Sequence, residues 1–148
     1  MATLKVKIQE DIVLGNQDYG SKRTIEISSI NEIMKRVVTC AASQTTTIAV
    51  FNSNAYGAAG AIDIEDSKYI RVTNLDSSNA VELAVVGAAT LYQVKLAAGQ
   101  SHVLGSADDL MLSEADTSPS FGTMADLGSI QVNPGGNAVD VELFIDIA

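Results

Sequence analysis

Apolar and polar residues alternate with a period of two along most of the chain. In LKVKI, residues 4–8, the apolar side chains fall on one side and the two lysines on the other. The C-terminal segment VDVELFIDI, residues 139–147, repeats the pattern over a longer stretch. Such alternation predicts β-strands with one buried face. The same pattern, or an enrichment in β-branched residues, marks residues 24–27, 45–52, 61–66, 69–74, 80–86, 90–96 and 101–105.

Turn-forming residues separate these segments at short intervals. In NLDSSNA, Asp76 and Asn79 can hydrogen-bond the neighbouring backbone, and asparagine tolerates left-handed geometry. This bend therefore predicts a hairpin between residues 69–74 and 80–86. AAGQ predicts a second hairpin, between residues 90–96 and 101–105. Period-two matching predicts about eight to ten strands in all.

One segment has helical rather than strand spacing. In SSINEIMKRVV, Ser29 is followed three residues later by Glu32, which matches a capping box. Ile30, Ile33, Met34 and Val37 then fall at helical intervals. This predicts a short helix or helical turn at 29–36. The segment SADDLMLSEAD predicts a further single turn.

These patterns predict an all-β protein: an antiparallel β-sandwich with at most one or two short helical turns. A jelly roll is one candidate topology. We expect residues 1–148 to form a single domain, because the length suits one core and no linker divides the chain. Two irregular parts are expected, an N-terminal arm at 1–23 and an extended loop at 113–128.

Composition and charge limit the kinds of partner that the chain is expected to bind. The chain of 148 residues is 47% hydrophobic and carries a net charge of −9. Because phosphate backbones repel an acidic surface, direct nucleic-acid binding is not expected. No stretch approaches the roughly 20 apolar residues that span a bilayer, and the N-terminus lacks a secretory pattern. We expect no membrane contact and synthesis in a cytoplasm. Basic residues concentrate in the first quarter of the chain; they either bind an acidic partner or only supply solubility.

Residues able to carry chemistry are few. Cys40 is the only cysteine and His102 the only histidine, which excludes an internal disulfide and a multi-histidine zinc site. The glycines lack the lysine of a phosphate-binding loop. Acidic residues lie in DIED (63–66), ADDL (107–110) and SEAD (113–116), either as calcium ligands or as solvated loops, with solvation favoured. We therefore expect no catalytic, metal or cofactor site and no enzyme.

Two hairpin segments carry a resemblance to a known group. KYIRVTNLDSSNAVELAVV and LYQVKLAAGQSHVLGSADDLML contain a Y-x-R-V-x-N strand and an L-x-x-G-x-S turn. The matching residues are Tyr69, Arg71, Val72, Asn74, Leu96, Gly99 and Ser101. Over residues 65–112 the chain resembles small virion structural proteins of tailed phages, of the marine and cyanobacterial type. The motif is structural rather than catalytic.

The resemblance implies a non-enzymatic phage virion protein, assembled in the host cytoplasm and located in the virion. The leading interpretation is a capsid decoration, or cement, protein that binds the outer face of the major capsid protein shell. A head–tail connector or tail component is the alternative within this class. A carbohydrate-binding β-sandwich module, with Tyr19, Tyr56 and Tyr92 as stacking platforms, is the alternative of another class.

Partner-binding candidates lie in the two irregular parts. Lys22 and Arg23 supply positive charge in the N-terminal arm, and Phe121 and Met124 supply apolar surface in the 113–128 loop. Phe121 and Met124 either dock on a partner or pack into their own sandwich, and the sequence does not choose between these. We also expect a homo-oligomer, because exposed strands pair readily with another chain.

Overall fold

The structure, a computed structural model, describes residues 1–54, 60–88, 90–112, 119 and 121–148. Within these ranges the chain forms strands, turns and loops, and no helix. The prediction of an all-β sandwich is confirmed. In chain order the strands are β1 (Ala2–Glu10), β2 (Val13–Leu14), β3 (Gln17–Asp18), β4 (Ser21–Ile30), β5 (Glu32–Cys40), β6 (Thr46–Asn52), β7 (Ile62–Asp63), β8 (Ser67–Asn74), β9 (Val81–Gly87), β10 (Leu91–Leu96), β11 (Ser101–Leu104), β12 (Met111–Leu112), β13 (Met124–Ala125), β14 (Leu127–Asn133) and β15 (Val139–Ile147).

Eight of these strands form two antiparallel sheets that pack face to face. One sheet has the order β11-β8-β15-β5. The other has the order β10-β9-β14-β6, with the short β7 added in parallel at the β6 edge. Taken in chain order, the first of these eight strands pairs with the last, the second with the seventh, the third with the sixth and the fourth with the fifth. The pairs are β5 with β15, β6 with β14, β8 with β11 and β9 with β10. This nesting is the jelly-roll order.

The core lies between the two sheets and consists of the inward residues of alternating strands. On β15, Val139, Val141, Leu143 and Ile145 are all essentially inaccessible to water. They face the equally buried Leu83, Val85, Ile130 and Val132 on the other sheet and Ile70 and Val72 beside them. The alternation of apolar and polar residues therefore correctly predicts that one face of this strand is buried.

The predicted helix at 29–36 is wrong, since β4 and β5 span this segment. Met34 and Val38 face inward and pair with Ile145 and Val141 of β15. Positions four apart lie on the same side of a strand as well as of a helix, so the spacing was ambiguous. Ser29 has φ 66°, at an irregularity in the β1–β4 ladder, and does not cap a helix.

The two segments predicted to be irregular are partly regular. The arm predicted at 1–23 belongs to a long hairpin in which β1 pairs with β4 from Ala2–Ile30 to Glu10–Ser21. In the loop predicted at 113–128, residues 113–118 and 120 lie outside the described residues, whereas β13 and the start of β14 are strands. The segment 106–116, predicted to hold a further single turn, holds a turn at Asp108–Asp109 that is followed by β12, and residues 113–116 lie outside the described residues.

Candidate interaction surfaces

Three of the residues that carry the phage resemblance, Asn74, Leu96 and Gly99, meet in a hydrogen-bonded turn network. Asn74 is fully buried at the end of β8. Its side-chain amide donates to the carbonyl oxygens of Asn79 at 2.8 Å and of Leu96 and Ala97, each at 3.2 Å. Its side-chain oxygen accepts from the backbone amide of Asp76 at 3.0 Å. One side chain therefore joins the turn after β8 to the turn after β10.

Gly99 completes this network from the second turn. Its backbone amide donates to the carbonyl oxygen of Asn74 at 3.1 Å. The backbone amide of Asn74 in turn donates to the carbonyl oxygen of Gln100 at 2.9 Å. Gly99 has φ +74°, a conformation that other residues adopt only with strain. The quoted asparagine and glycine thus fix the relative position of two hairpins.

Of the remaining motif residues, Val72 and Leu96 belong to the core, whereas Tyr69, Arg71 and Ser101 lie on the outer face of the β11-β8-β15-β5 sheet. Arg71 donates to Glu142 Oε1 at 2.7 Å and also to Thr73, and its guanidinium lies 5.5 Å from the centre of the Phe144 ring. The hydrogen bond from Arg71 and the charge of Lys35 lower the pKa of Glu142. This ladder of side chains across three strands stabilises the sheet. Sequence reasoning missed Glu142, although its outward position on β15 follows from the alternation.

The sole histidine pairs with a tyrosine rather than with the cysteine. His102 Nε2 and Tyr92 Oη are 3.0 Å apart, and the two rings meet edge to face. Burial lowers the pKa of His102 and raises the pKa of Tyr92. Cys40 is buried on β5, the opposite edge of the sheet from β11. Three strand spacings, about 14 Å, separate these edges, so the two residues form no pair.

One of the predicted acidic segments gains a partner from elsewhere in the chain. The carboxylates of Asp108 and Asp109 lie within 4.8 Å of that of Asp126, and all three residues are exposed. Partial desolvation and the neighbouring carboxylates of Asp109 and Asp126 raise the pKa of Asp108. Asp63 Oδ1 accepts the backbone amide of Glu65 at 3.0 Å, which makes it part of a turn. Residues 113–116 lie outside the described residues.

An open groove of about 510 Å³ lies where β5 and β15 meet the turn after β8. Two carboxylates face it, and each has a structural partner. Asp140 Oδ1 accepts from the Thr39 hydroxyl at 2.5 Å, and the backbone amides of Asn79 and Ser78 lower the pKa of Asp76. The lining residues are Thr39, Leu75, Asp76, Ser77, Ala138 and Asp140.

A buried carboxylate lies on the outer side of β15. Asp146 is fully enclosed, and neither of its oxygens makes a hydrogen bond to a described residue. Burial raises the pKa of Asp146, and the nearby backbone amides of Tyr69 and Lys68 offset only part of this effect. The register between β15 and β8 shifts at this point. The charged form of Asp146 therefore lowers the free energy of unfolding at neutral pH.

The N-terminal hairpin presents an apolar face to water. Its cross-strand pairs place Leu4 with Ile27, Val6 with Ile25, and Ile8 with Arg23. We call Leu4, Val6, Ile8, Ile25 and Ile27 the hairpin face. Ile8 is 52% exposed and Ile25 is 45% exposed. At the hairpin end the exposed large apolar residues are Ile12, Val13, Leu14 and Tyr19.

The predicted partner-binding residues fall on two separate elements. Lys22 and Arg23 are exposed on β4, opposite Gln9 and Ile8, so Arg23 borders the hairpin face. Phe121 is 88% exposed, and Met124, in β13 opposite Leu112, is 42% exposed. Of the two interpretations for Phe121 and Met124, packing into their own core is therefore not observed in the isolated chain.

The tyrosines proposed as sugar platforms do not share a surface. Tyr19 is exposed at the end of the hairpin, whereas Tyr92 packs against His102 at the edge of the sandwich. Tyr56 lies outside the described residues.

Comparisons with known proteins give a distant structural match and no family. No family model matches the chain, and no curated protein matches it. A solved structure of a protein from Bacillus endospore appendages, which are disulfide-linked pili, has a TM-score of 0.43 and 11% sequence identity. The match covers 83% of this chain and 94% of that chain. A likeness this distant carries no argument about this chain. In the part of the chain that the structure describes, no helix is long and apolar enough to cross a membrane.

Proposed function

We propose that the chain is a non-enzymatic structural protein of a phage virion, and specifically a capsid decoration protein that binds the outer face of the major capsid protein shell. The observation that carries this proposal is the apolar surface of the N-terminal hairpin. Ile8, Val13, Leu14 and Ile25 are each at least 45% exposed there. Several exposed large apolar side chains on one element of a small domain are typical of a protein contact site.

Two further observations support the proposal. The residues that resemble phage virion proteins form hydrogen bonds and packing contacts that hold hairpins together, as expected of a motif with a structural role. The jelly-roll order also occurs in viral capsid domains, although lectin domains and cupins share it, so this support is an analogy of fold.

Docking on a shell would use the two exposed elements together. The hairpin brings an apolar surface bordered by Lys22 and Arg23, and the segment before β14 brings Phe121 and Met124. Burying a large apolar side chain contributes about 1.5–3 kcal/mol, so a few such residues can anchor an interface. The rigid sandwich would then hold these elements in place.

Quantitative mass spectrometry of purified particles tests the proposal. A decoration protein should be present in proportion to the major capsid protein, because shell symmetry repeats its binding site. A small, fixed ring number would instead favour the connector or tail position. Absence from purified particles would remove the virion proposal altogether.

A carbohydrate-binding module is a second candidate, and the open groove between Asp76 and Asp140 is the observation that favours it. Hydroxyl and carboxylate groups at a concave surface suit a polyhydroxylated ligand. Binding to a glycan array should then be abolished by Asp140→Ala. The matched control Glu82→Ala should leave binding unchanged, because Glu82 is an exposed acidic residue of β9 on the other sheet. Silence on a broad array would leave the candidate without support.

A further inference from the structure

We propose that Asp146 makes the root of the N-terminal hairpin, residues 29–31, sensitive to pH. The end of β15 stays closed on this root while the Asp146 carboxyl is protonated, and it opens when the carboxyl loses its proton to water. This inference concerns the isolated chain and does not rest on the proposed function.

The root is the place where the hairpin joins the sandwich, because β4 passes into β5 there. The backbone amide of Asn31 donates to the carbonyl oxygen of Ile147, at the end of β15, at 2.9 Å. Among the described residues, this is the only hydrogen bond between residues 1–31 and the sandwich. Ile30, beside it, is 4% exposed. The end of β15 therefore helps to hold the hairpin in place.

The residue before Ile147 is the buried Asp146. It lies on the outer side of β15, opposite Ile33 on β5 and Tyr69 on β8. No part of it is exposed, and neither carboxyl oxygen makes a hydrogen bond to a described residue. A carboxylate enclosed in this way is unfavourable when it is charged, so it must either keep its proton or reach water.

The cations around this carboxyl are bound to other groups. On the outer side of the neighbouring strands, Arg71 and Lys35 contact Glu142 at 2.7 and 3.6 Å. Lys68 is the charged group that acts on the buried carboxyl, and its ammonium donates to the backbone carbonyl oxygen of Glu65. None of these three cations forms an ion pair with the buried carboxyl, so its charge is not neutralised in the closed form.

Charge favours opening, because only the open form exposes the carboxylate to water. Burial raises the pKa of Asp146 in the closed form, whereas an exposed aspartate titrates near 3.8. The closed form therefore binds the proton more tightly, and the ratio of open to closed chains rises about tenfold per pH unit between these two pKa values. Below both pKa values the carboxyl is protonated in both forms, and the ratio is constant.

The opening is confined to the last residues of the strand. Ile145 is fully buried in the core and holds the preceding part of β15 in place. The ladder with β8 shifts register just beyond it, between Asp146 and Ile147. Two backbone amides, those of Asn31 and Ala148, donate hydrogen bonds that close this end of the sheet, and their exposure to water reports the opening.

Amide hydrogen exchange tests the coupling, measured by NMR over about pH 3 to 8 and corrected for the intrinsic exchange rate. The protection of Asn31 and Ala148 should fall by at least about tenfold as pH rises from the pKa of the open form to that of the closed form. The internal control is the amide of Leu75, which donates to Asp140 at the other end of β15. Its protection should not change.

Two matched variants assign the effect to one carboxyl. Asp146→Asn cannot ionise, so Asn31 and Ala148 should be as protected at high pH as they are in the unmodified chain at low pH. Asp140→Asn removes an exposed carboxylate from the same side of the same strand and should leave the pH dependence intact. Carbon-13 titration of the Asp146 carboxyl should give a midpoint above 3.8.

Three results would overturn the inference. They are a pH-dependent protection that persists in Asp146→Asn, a constant protection of Asn31 while the carboxyl titrates, and a carboxyl midpoint at or below 3.8. None of these measurements uses a shell. Absence of the chain from particles would therefore remove the proposed function and leave the pH-dependent opening as measured.

Discussion

Replacing Asn74 with alanine should destabilise the chain strongly, because this one side chain joins two turns. The substitution removes the amide that reaches the carbonyl oxygens of Asn79, Leu96 and Ala97, together with the oxygen that accepts from the Asp76 amide. The side-chain amide has two hydrogens, so its three contacts amount to about two full hydrogen bonds. With the accepted bond, about three buried hydrogen bonds are lost.

The magnitude follows from the usual value of such bonds. At about 1 kcal/mol net for each bond, with extra cost for carbonyls left unsatisfied, the free energy of unfolding should fall by about 2–4 kcal/mol. In a domain of this size, that loss should lower Tm by about 6–15 °C. The matched control is Asn137→Ala: Asn137 is exposed, and its side-chain amide donates to Asn79 Oδ1 at 3.2 Å. It should cost no more than about 1 kcal/mol.

Urea denaturation with thermal melting measures both variants. The isosteric Asn74→Asp should cost at least as much as Asn74→Ala, because it removes both donated hydrogens and directs acceptor oxygens at the carbonyl oxygens of Leu96 and Ala97. A loss below about 1 kcal/mol for Asn74→Ala, or a milder effect of Asn74→Asp, would refute the argument that these donated bonds hold the two turns together.

Three other sets of substitutions test other parts of the molecule. Asp146→Asn should raise the free energy of unfolding at neutral pH, because burial raises the pKa of Asp146 above 3.8 and so disfavours its charged form in the native state. The gain should vanish as pH falls from the raised pKa of the native state to the pKa of the unfolded chain, near 3.8. Glu142→Gln should lower the free energy of unfolding at neutral pH, because Arg71 and Lys35 lower the pKa of Glu142 below 4.5. This loss should disappear as pH falls through the lowered pKa. Urea denaturation across a pH series measures the effects of Asp146→Asn and Glu142→Gln. Phe121→Ser with Met124→Ser should leave Tm unchanged, since both side chains are exposed, while reducing occupancy on particles; a lower Tm would place them in the core.

The sequence was most informative where one strand face is buried. The alternation in residues 139–147 correctly predicted which side chains of β15 form the core. It predicted the wrong element at 29–36, because apolar residues four apart satisfy both periods and only pairing with β15 selects the strand. Tertiary contacts decided this segment, and a single sequence does not contain them.

Clusters and strand pairs formed by residues far apart in the chain could not be predicted from local sequence patterns. Asp126 joins Asp108 and Asp109 only because β13 and β12 pair and bring their flanking residues together. The N-terminal segment was expected to be an irregular arm, although its alternation had been recognised in residues 4–8 and 24–27. The register that joins these two segments into one hairpin depends on the turn between them and on the irregularity at Ser29.

Binding of the purified chain to capsid shells that lack it tests the central claim most directly. The account predicts saturable binding in a fixed ratio to the major capsid protein, reduced by Ile8→Ser with Ile25→Ser and unaffected by Gln9→Ser with Thr24→Ser. Co-sedimentation with quantitative gel analysis measures the ratio. A folded chain that shows no saturable binding to shells at any concentration would contradict the account.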